Sequence, residues 1–209
     1  MLKKRILVVT MILLGCNLFA QKDPAAKKVL DAVSAKVKTF KGVKADFIIK
    51  SFTSKGKPNG VKTGNICIKG QKYLLKQGKT EIICDSKTIW NYDGAKTITV
   101  SPADENNQTL SPQNLLSNFY DKDFNYKLVN SAGNFYEIEL TPLDKRKSFK
   151  KVNVFVDKTK NMITKALILD QSNNKVEFSL NNMNTTTPVL DNQFTFDKSK
   201  YPKDVEILD

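Results

Sequence analysis

Two short strings carry the residue types of a serine nucleophile with a lysine base. Ser54-Lys55-Gly56-Lys57 reads SxxK and Lys62-Thr63-Gly64 reads KTG, the strings found in penicillin-binding enzymes. In that chemistry the first string lies on a helix and the second on a distant strand. Here they are almost adjacent in a strand-turn-strand region, so the match is coincidental. The glycines and lysine between Gly56 and Lys62 lack phosphate-loop spacing, and no helix follows them. Glu137 and Glu139 alternate with Tyr136, Ile138 and Leu140, which puts both carboxylates on one solvated strand face rather than on either side of a sugar site. Asp121 and Asp123 lack calcium-loop spacing. The chain has no histidine, which removes Ser-His-Asp and Cys-His pairs, imidazole acid-base chemistry and the usual zinc sites. The expectation is a protein with no catalytic residue, no metal and no cofactor.

Export bears on the remaining cysteine chemistry. Lys3, Lys4 and Arg5 precede an apolar run from Ile6 to Leu14 that is too short to span a bilayer, the pattern of a signal peptide covering residues 1–20. Two processing sites compete. Release after Ala20 would leave a soluble chain beginning at Gln21, whereas Leu13-Leu14-Gly15-Cys16 has the form of a lipobox that would anchor the protein through an acylated Cys16. After export Cys67 and Cys84 remain. Tight hairpins at Lys69-Gly70-Gln71-Lys72 and Gln77-Gly78-Lys79-Thr80 would set Cys67 opposite Leu74, and Leu74 opposite Ile83, leaving Cys84 on the other face. A disulfide needs Cα atoms within about 7 Å, so two free thiols are expected.

The elements that position these residues follow from spacing. Asp23-Pro24 supplies an N-cap and a first-turn proline, after which Ala26, Val29, Leu30, Val33, Val37 and Phe40 recur at helical intervals, with Gly42 placed to stop the helix. From Val43 the period becomes two. Strands are expected at Val43 to Lys50, Gly60 to Lys69, Lys72 to Gln77, Thr80 to Asp85, Thr88 to Tyr92 and Lys96 to Val100. A polar loop and a short helix opening at Ser111-Pro112, with Leu115, Leu116 and Phe119, come next. Strands resume at Tyr126 to Asn130, Phe135 to Leu140, Phe149 to Val156, Met162 to Asp170 and Lys175 to Asn181, with a short ending at Phe194 to Phe196. About eleven antiparallel strands with two or three helices curl into a barrel or a sandwich. Residues 21–209 are within the size of one domain.

Loss of Lys3, Lys4 and Arg5 lowers the formal charge from +13 to +10. The lysines are scattered over turns and strand faces. Such charge favours approach to anionic membrane surfaces or to nucleic acid, but a plain solvated lysine-rich surface accounts for it equally, and no nucleic-acid-binding motif accompanies it.

Several stretches resemble the LolA-type periplasmic carriers of outer-membrane lipoproteins. They are the first helix leading into Val43-Lys44-Ala45-Asp46-Phe47, the strand Gly64 to Lys69, and above all Asp85-Ser86-Lys87-Thr88-Ile89-Trp90-Asn91-Tyr92. Leu140-Thr141-Pro142, Leu167 to Asp170, Phe194-Thr195-Phe196 and Tyr201-Pro202-Lys203-Asp204-Val205 add to it in order. The resemblance implies a mainly β fold, an open antiparallel barrel of about eleven strands under a helical lid, that holds lipoprotein acyl chains in its cavity. It also implies partners: lipoproteins, the inner-membrane lipoprotein-releasing ABC transporter, and an outer-membrane acceptor or membrane surface, met by a monomer. Val43, Ala45, Phe47, Ile49, Ile66, Ile68, Tyr73, Leu75, Ile82, Trp90 and Tyr92 would line the cavity. The family's Arg-Pro after the Gly64 to Lys69 strand, whose arginine helps hold the lid shut, reads Gly70-Gln71 here, leaving Lys69 and Lys72 as candidates for a different latch. Ser86 replaces the usual turn glycine. The same fold could instead serve a lipid- or lipoprotein-sensing domain or, with Cys16 acylated, an anchored receptor. Tight pairing across Asp85-Ser86-Lys87-Thr88 sets Trp90 beside Ile83, away from Ile82 and Cys84, so Trp90 reaches the cavity only through a bulge or a looser turn.

Overall fold

The computed structural model describes residues 22–103 and 120–209. The segment around Cys16 and the helix expected at Ser111 to Phe119 lie outside them. Helix α1 (Pro24–Lys38) begins as its sequence dictates: Asp23 is extended, its Oδ1 accepts the Ala25 N–H at 2.8 Å, and Pro24 occupies the first turn. The apolar stripe buries Ala26, Leu30 and Val33. The helix stops at Thr39, whose N–H and Oγ1 both return to the Lys36 carbonyl. Gly42 is therefore not its cap. A Cβ at residue 42 would lie 2.4 Å from Val189 Cγ2, so the glycine is required by a close packing contact.

Six strands follow: β1 (Val43–Phe52), β2 (Pro58–Lys69), β3 (Lys72–Gln77), β4 (Thr80–Cys84), β5 (Thr88–Tyr92) and β6 (Thr97–Pro102). After the one-turn helix α2 (Tyr120–Asp123) come β7 (Phe124–Asn130), β8 (Phe135–Pro142), β9 (Phe149–Asp157), β10 (Met162–Asp170), β11 (Lys175–Asn184) and β12 (Glu206–Leu208). Asp121 and Asp123 thus lie in α2.

All twelve strands form one open sheet in the order β12-β6-β5-β4-β3-β2-β1-β11-β10-β9-β8-β7. Each neighbouring pair is antiparallel except β12, which runs parallel to β6. Register shifts at Lys44/Asp46 and Lys50/Phe52 interrupt β1 against its two partners, the kind of irregularity that bends a long strand and lets a sheet curl. The expected terminal strand at Phe194 to Phe196 is absent: Asp191–Phe194 is a 3-10 turn, and the chain pairs only later, at β12.

One side of the sheet, the inner face, carries the main core. Phe47, Ile138, Leu140, Val152, Val154, Val156 and Ala166 are fully buried there. α1 lies across this face against β7 and β10, as a lid. The outer face is divided. Over β7 to β11 it is a charged surface in which Lys127 and Lys151 flank Glu139, and Lys50 and Lys165 flank Glu177. Over β2 to β6 it sets Cys67, Leu74, Ile83 and Trp90 among Lys69, Lys72, Lys76 and Glu81 and is crossed by a C-terminal strap running from Val189 to Val205, with Val189 and Phe194 packed on Cys67 and Leu74.

Candidate functional site

Nine of the eleven residues expected in a common apolar wall share the inner face. The registers run Val43–Ile68–Tyr73 and Ala45–Ile66–Leu75–Ile82 across β1 to β4, so period-two alternation brings them all to one side. Phe47 lies opposite Gly64, whose missing Cβ leaves room for the ring, and stacks on Phe178 of β11 at 6.2 Å. Val43, Ala45, Phe47, Ile66, Ile68 and Tyr73 are between 0 and 7% exposed. Ile49, Leu75 and Ile82 are half-buried and pack on that core. They mark where close packing gives way to accessible apolar surface. Burial, with Cys84 nearby, pushes the Tyr73 phenol up to about 12, so its hydroxyl is neutral at physiological pH.

Trp90 and Tyr92 lie on the other face. Trp90 pairs with Ile83 and Val100, and Tyr92 with Glu81 and Ile98, with no slip in β4–β5. The cause is the turn. Asp85 Oδ1 accepts the Lys87 and Thr88 N–H groups, both at 2.8 Å, the Asp85 N–H donates to the Thr88 carbonyl, and Ser86 takes the left-handed conformation (φ 89°) that its two-residue loop demands. No bulge intervenes. Trp90 stacks on Phe196 at 5.4 Å and 7°, Tyr92 meets Tyr201 edge-on at 5.0 Å, and Phe196 and Tyr201 are 5.5 Å apart. The aromatics therefore fasten the strap. The places expected for them on the inner face of β5 belong to Ile89 and Asn91.

The far wall of the inner face comes from Phe178, Leu180, Ala166, Val154 and Ile138, which sequence reading placed in strands but not in the site. Their strict alternation was the available signal. The lid is attached at its N-terminal end. Asp23 Oδ2 accepts the Leu128 N–H of edge strand β7 at 2.8 Å, and Asp31 accepts from the Tyr120 hydroxyl at 2.9 Å and from Lys27 at 3.0 Å. Hydrogen bonds to charged carboxylates hold both acids below their usual pKa: the Leu128 amide is the main cause for Asp23, and Lys27 for Asp31. Among the described residues Lys69 and Lys72 form no ion pair with α1. Both bind Asp191, at 2.9 and 2.8 Å, and so tie down the strap.

The other candidates dissolve into structure. Ser54-Lys57 is the β1–β2 turn, closed by the Thr53 N–H bonding to the Lys57 carbonyl, and Lys62-Thr63-Gly64 is the middle of β2. Glu137 accepts from Asn153 at 2.7 Å, and Glu139 pairs with two lysines. Cys67 and Cys84 are free and buried, in register with Leu74 and Tyr73 respectively, hence on opposite faces.

The architecture has counterparts among solved structures. An uncharacterized conserved protein from Thermus thermophilus aligns with a TM-score of 0.57 at 13% identity, over 88% of this chain and 98% of that one. A DUF1329 family protein from Desulfovibrio piger aligns at 0.50 and 13% identity, over 83% and 98%. A LolA superfamily protein from Nitrosomonas europaea aligns at 0.47 and 12% identity, over 82% and 97%. No curated protein matches the sequence. The family model described as outer membrane lipoprotein carrier protein LolA matches residues 38–197, a span running from the last residue of the lid helix into the strap, as far as the residue after Phe196, and the chain belongs to that family.

Proposed function

We propose that this protein is a periplasmic carrier that holds the acyl chains of lipoproteins against the inner face of its sheet and moves them from the inner to the outer membrane. The observation that supports this reading is the inner face itself: a contiguous apolar core under an amphipathic lid, with Ile49, Leu75 and Ile82 only half covered at its margin. An acyl chain needs such a carrier. Exposing about fifteen methylenes at about 0.8 kcal/mol each costs on the order of 12 kcal/mol, which blocks unaided transfer through water. A carrier must match part of that burial without greatly exceeding it, or it could not release its cargo. Nothing in this role calls for bond chemistry by the protein.

The same reading supplies partners and place. The carrier, as a monomer released after Ala20, would receive cargo from the lipoprotein-releasing ABC transporter and deliver it to an outer-membrane acceptor or surface. N-terminal sequencing of the exported protein should begin at Gln21. Native mass spectrometry of protein isolated from its own periplasm should show an acylated protein bound, and depletion should leave outer-membrane lipoproteins in the inner membrane. Unaltered lipoprotein localisation after depletion would refute the carrier role.

A further inference from the structure

The outer face carries a cavity that the carrier reading does not use. It has a volume of about 740 Å³ and lies between β1–β5 and the strap. A smaller cavity of about 260 Å³ shares Lys44, Cys67, Leu74 and Lys76 with it, so the two form one groove on the side of the sheet away from the lid. A volume of 740 Å³ falls within the range of small-molecule sites. The strap wall, which includes Leu190, Gln193 and Tyr201, is held in place by the Asp191 pairs and the aromatic stack.

The groove has two chemistries. Its floor is apolar, with Leu74 half-buried, Ile83 5% exposed and Cys67 8% exposed. Its rim is cationic, with Lys44, Lys76, Lys79 and Lys200. Its carboxylates are already satisfied. Glu81 binds Lys76 at 2.8 Å and accepts from Tyr201 at 2.7 Å, while Asp46 accepts from Asn65 and Asn182. Lys200 has only a 3.9 Å approach from Asp197, and among the described residues Lys44 and Lys79 form no ion pair. Lys44 and Lys79 thus present positive charge that no carboxylate among the described residues pairs with, and the floor offers contact to hydrocarbon.

We propose that this groove binds a single-chain anionic amphiphile, with its head group among Lys44, Lys79 and Lys200 and its hydrocarbon along Cys67, Leu74 and Ile83. The site is independent of lipoprotein carriage, since the sheet separates the two faces. The cysteines report them separately. Cys67 lies on the groove floor, its Sγ donating to Gln193 Oε1 at 3.3 Å, and Cys84 lies on the inner face.

Dodecyl phosphate, kept below its micelle threshold, is the probe. Its dissociation constant is measured by calorimetric titration of the full chain, and N-ethylmaleimide labelling of each cysteine is followed by peptide mass spectrometry. At ten times the dissociation constant Cys67 labelling should slow about tenfold, with Cys84 unchanged. Uncharged dodecyl maltoside and inorganic phosphate at the same concentration should give no protection. The double variant Lys44→Gln/Lys79→Gln should weaken binding at least about tenfold at an unchanged melting temperature, as expected for removing charge-assisted contacts. Undetectable binding, protection of Cys67 by either control, or full protection in the double variant would overturn the proposal. Protection of Cys84 alone would also overturn it, by placing the amphiphile on the inner face, and would leave the carrier reading standing.

Discussion

The variant Leu75→Gln separates a wall that binds cargo from one that only fills the core. Leu75 sits on the inner face between Ile66 and Ile82 and is half-buried, so its amide replacement can keep water on the open side. A fully buried, unpaired amide costs about 1–3 kcal/mol, and half burial puts the loss near 1 kcal/mol, small against a domain stability of about 5–15 kcal/mol. For a chain of this size that lowers Tm by roughly 2–4 °C. Binding should suffer more. An acyl chain laid over Leu75 loses its apolar contact and must also strip water from the amide, about 2–3 kcal/mol together, or roughly 30- to 150-fold in affinity. Titration of a tripalmitoylated lipopeptide by fluorescence, beside a thermal melt, reads both quantities. A folded variant that binds within about twofold of the parent would refute the assignment of cargo to this part of the sheet. Phe47→Ala is a poor substitute, because Phe47 is fully buried and its loss costs about 3–5 kcal/mol in folding alone.

Other consequences concern the strap and the sheet. Phe196→Ala removes the ring stacked on Trp90, the only tryptophan of the chain, and should red-shift its emission and cost about 1–2 kcal/mol without changing lipopeptide affinity; an unshifted spectrum would count against the stack. Lys72 and then Lys69 hold the Asp191 carboxyl at about 2, below its usual 3.8. A carboxyl depressed in the folded state stabilises above its unfolded pKa and loses that contribution as pH falls through the folded one, so the strap's tie should weaken between pH 3.8 and about 2. Trp90 emission should track that window and lose the transition in Asp191→Asn. Gly64→Ala would place a Cβ 2.1 Å from the Lys76 carbonyl oxygen and 2.5 Å from the Phe47 ring. Because a backbone atom must yield, it should cost about 1–3 kcal/mol in denaturant titration, and a neutral result would show that β3 can move aside.

The parts of this structure that were legible in the sequence are those set by local rules. Gly70 and Gly78 adopt the positive φ of tight turns, at 59° and 58°, and the registers that follow, Cys67 to Leu74 and Leu74 to Ile83, are those the turn residues imply. The Asp85 turn was equally informative. It already sent Trp90 to the face of Ile83, against the expectation that a large aromatic at the centre of a meander belongs to the cavity. What could not be read was non-local: the pairing of β1 with β11, the parallel contact of β12 with β6, and the stacking partners of Trp90 and Tyr92. Phe194-Thr195-Phe196 alternates like a strand, yet Phe194 is buried against Cys67 and Phe196 stacks on Trp90, so its aromatics serve as anchors of a strap. Gly42 misled for the same reason, since the atom that excludes a side chain there belongs to Val189, far along the chain.

The strap also explains how an open sheet tolerates exposed polar positions at its inner margin. An antiparallel sheet ordinarily packs one face and wets the other. Here α1 packs over β7 and β10, and on the inner side of β5 and β6 Asn91 and Thr99 remain exposed. Apart from Ile89, which is buried in the inner core, those strands gain their packing from behind, where Ile83 and Ile98 are buried and Trp90 and Tyr92 are clamped by Phe196 and Tyr201. For a carrier this division is economical in contacts. On the proposed role, side chains that filled the inner margin would compete with cargo, whereas apolar area supplied on the outer face helps hold β4 to β6 in shape while Asn91 and Thr99 stay exposed on the inner side.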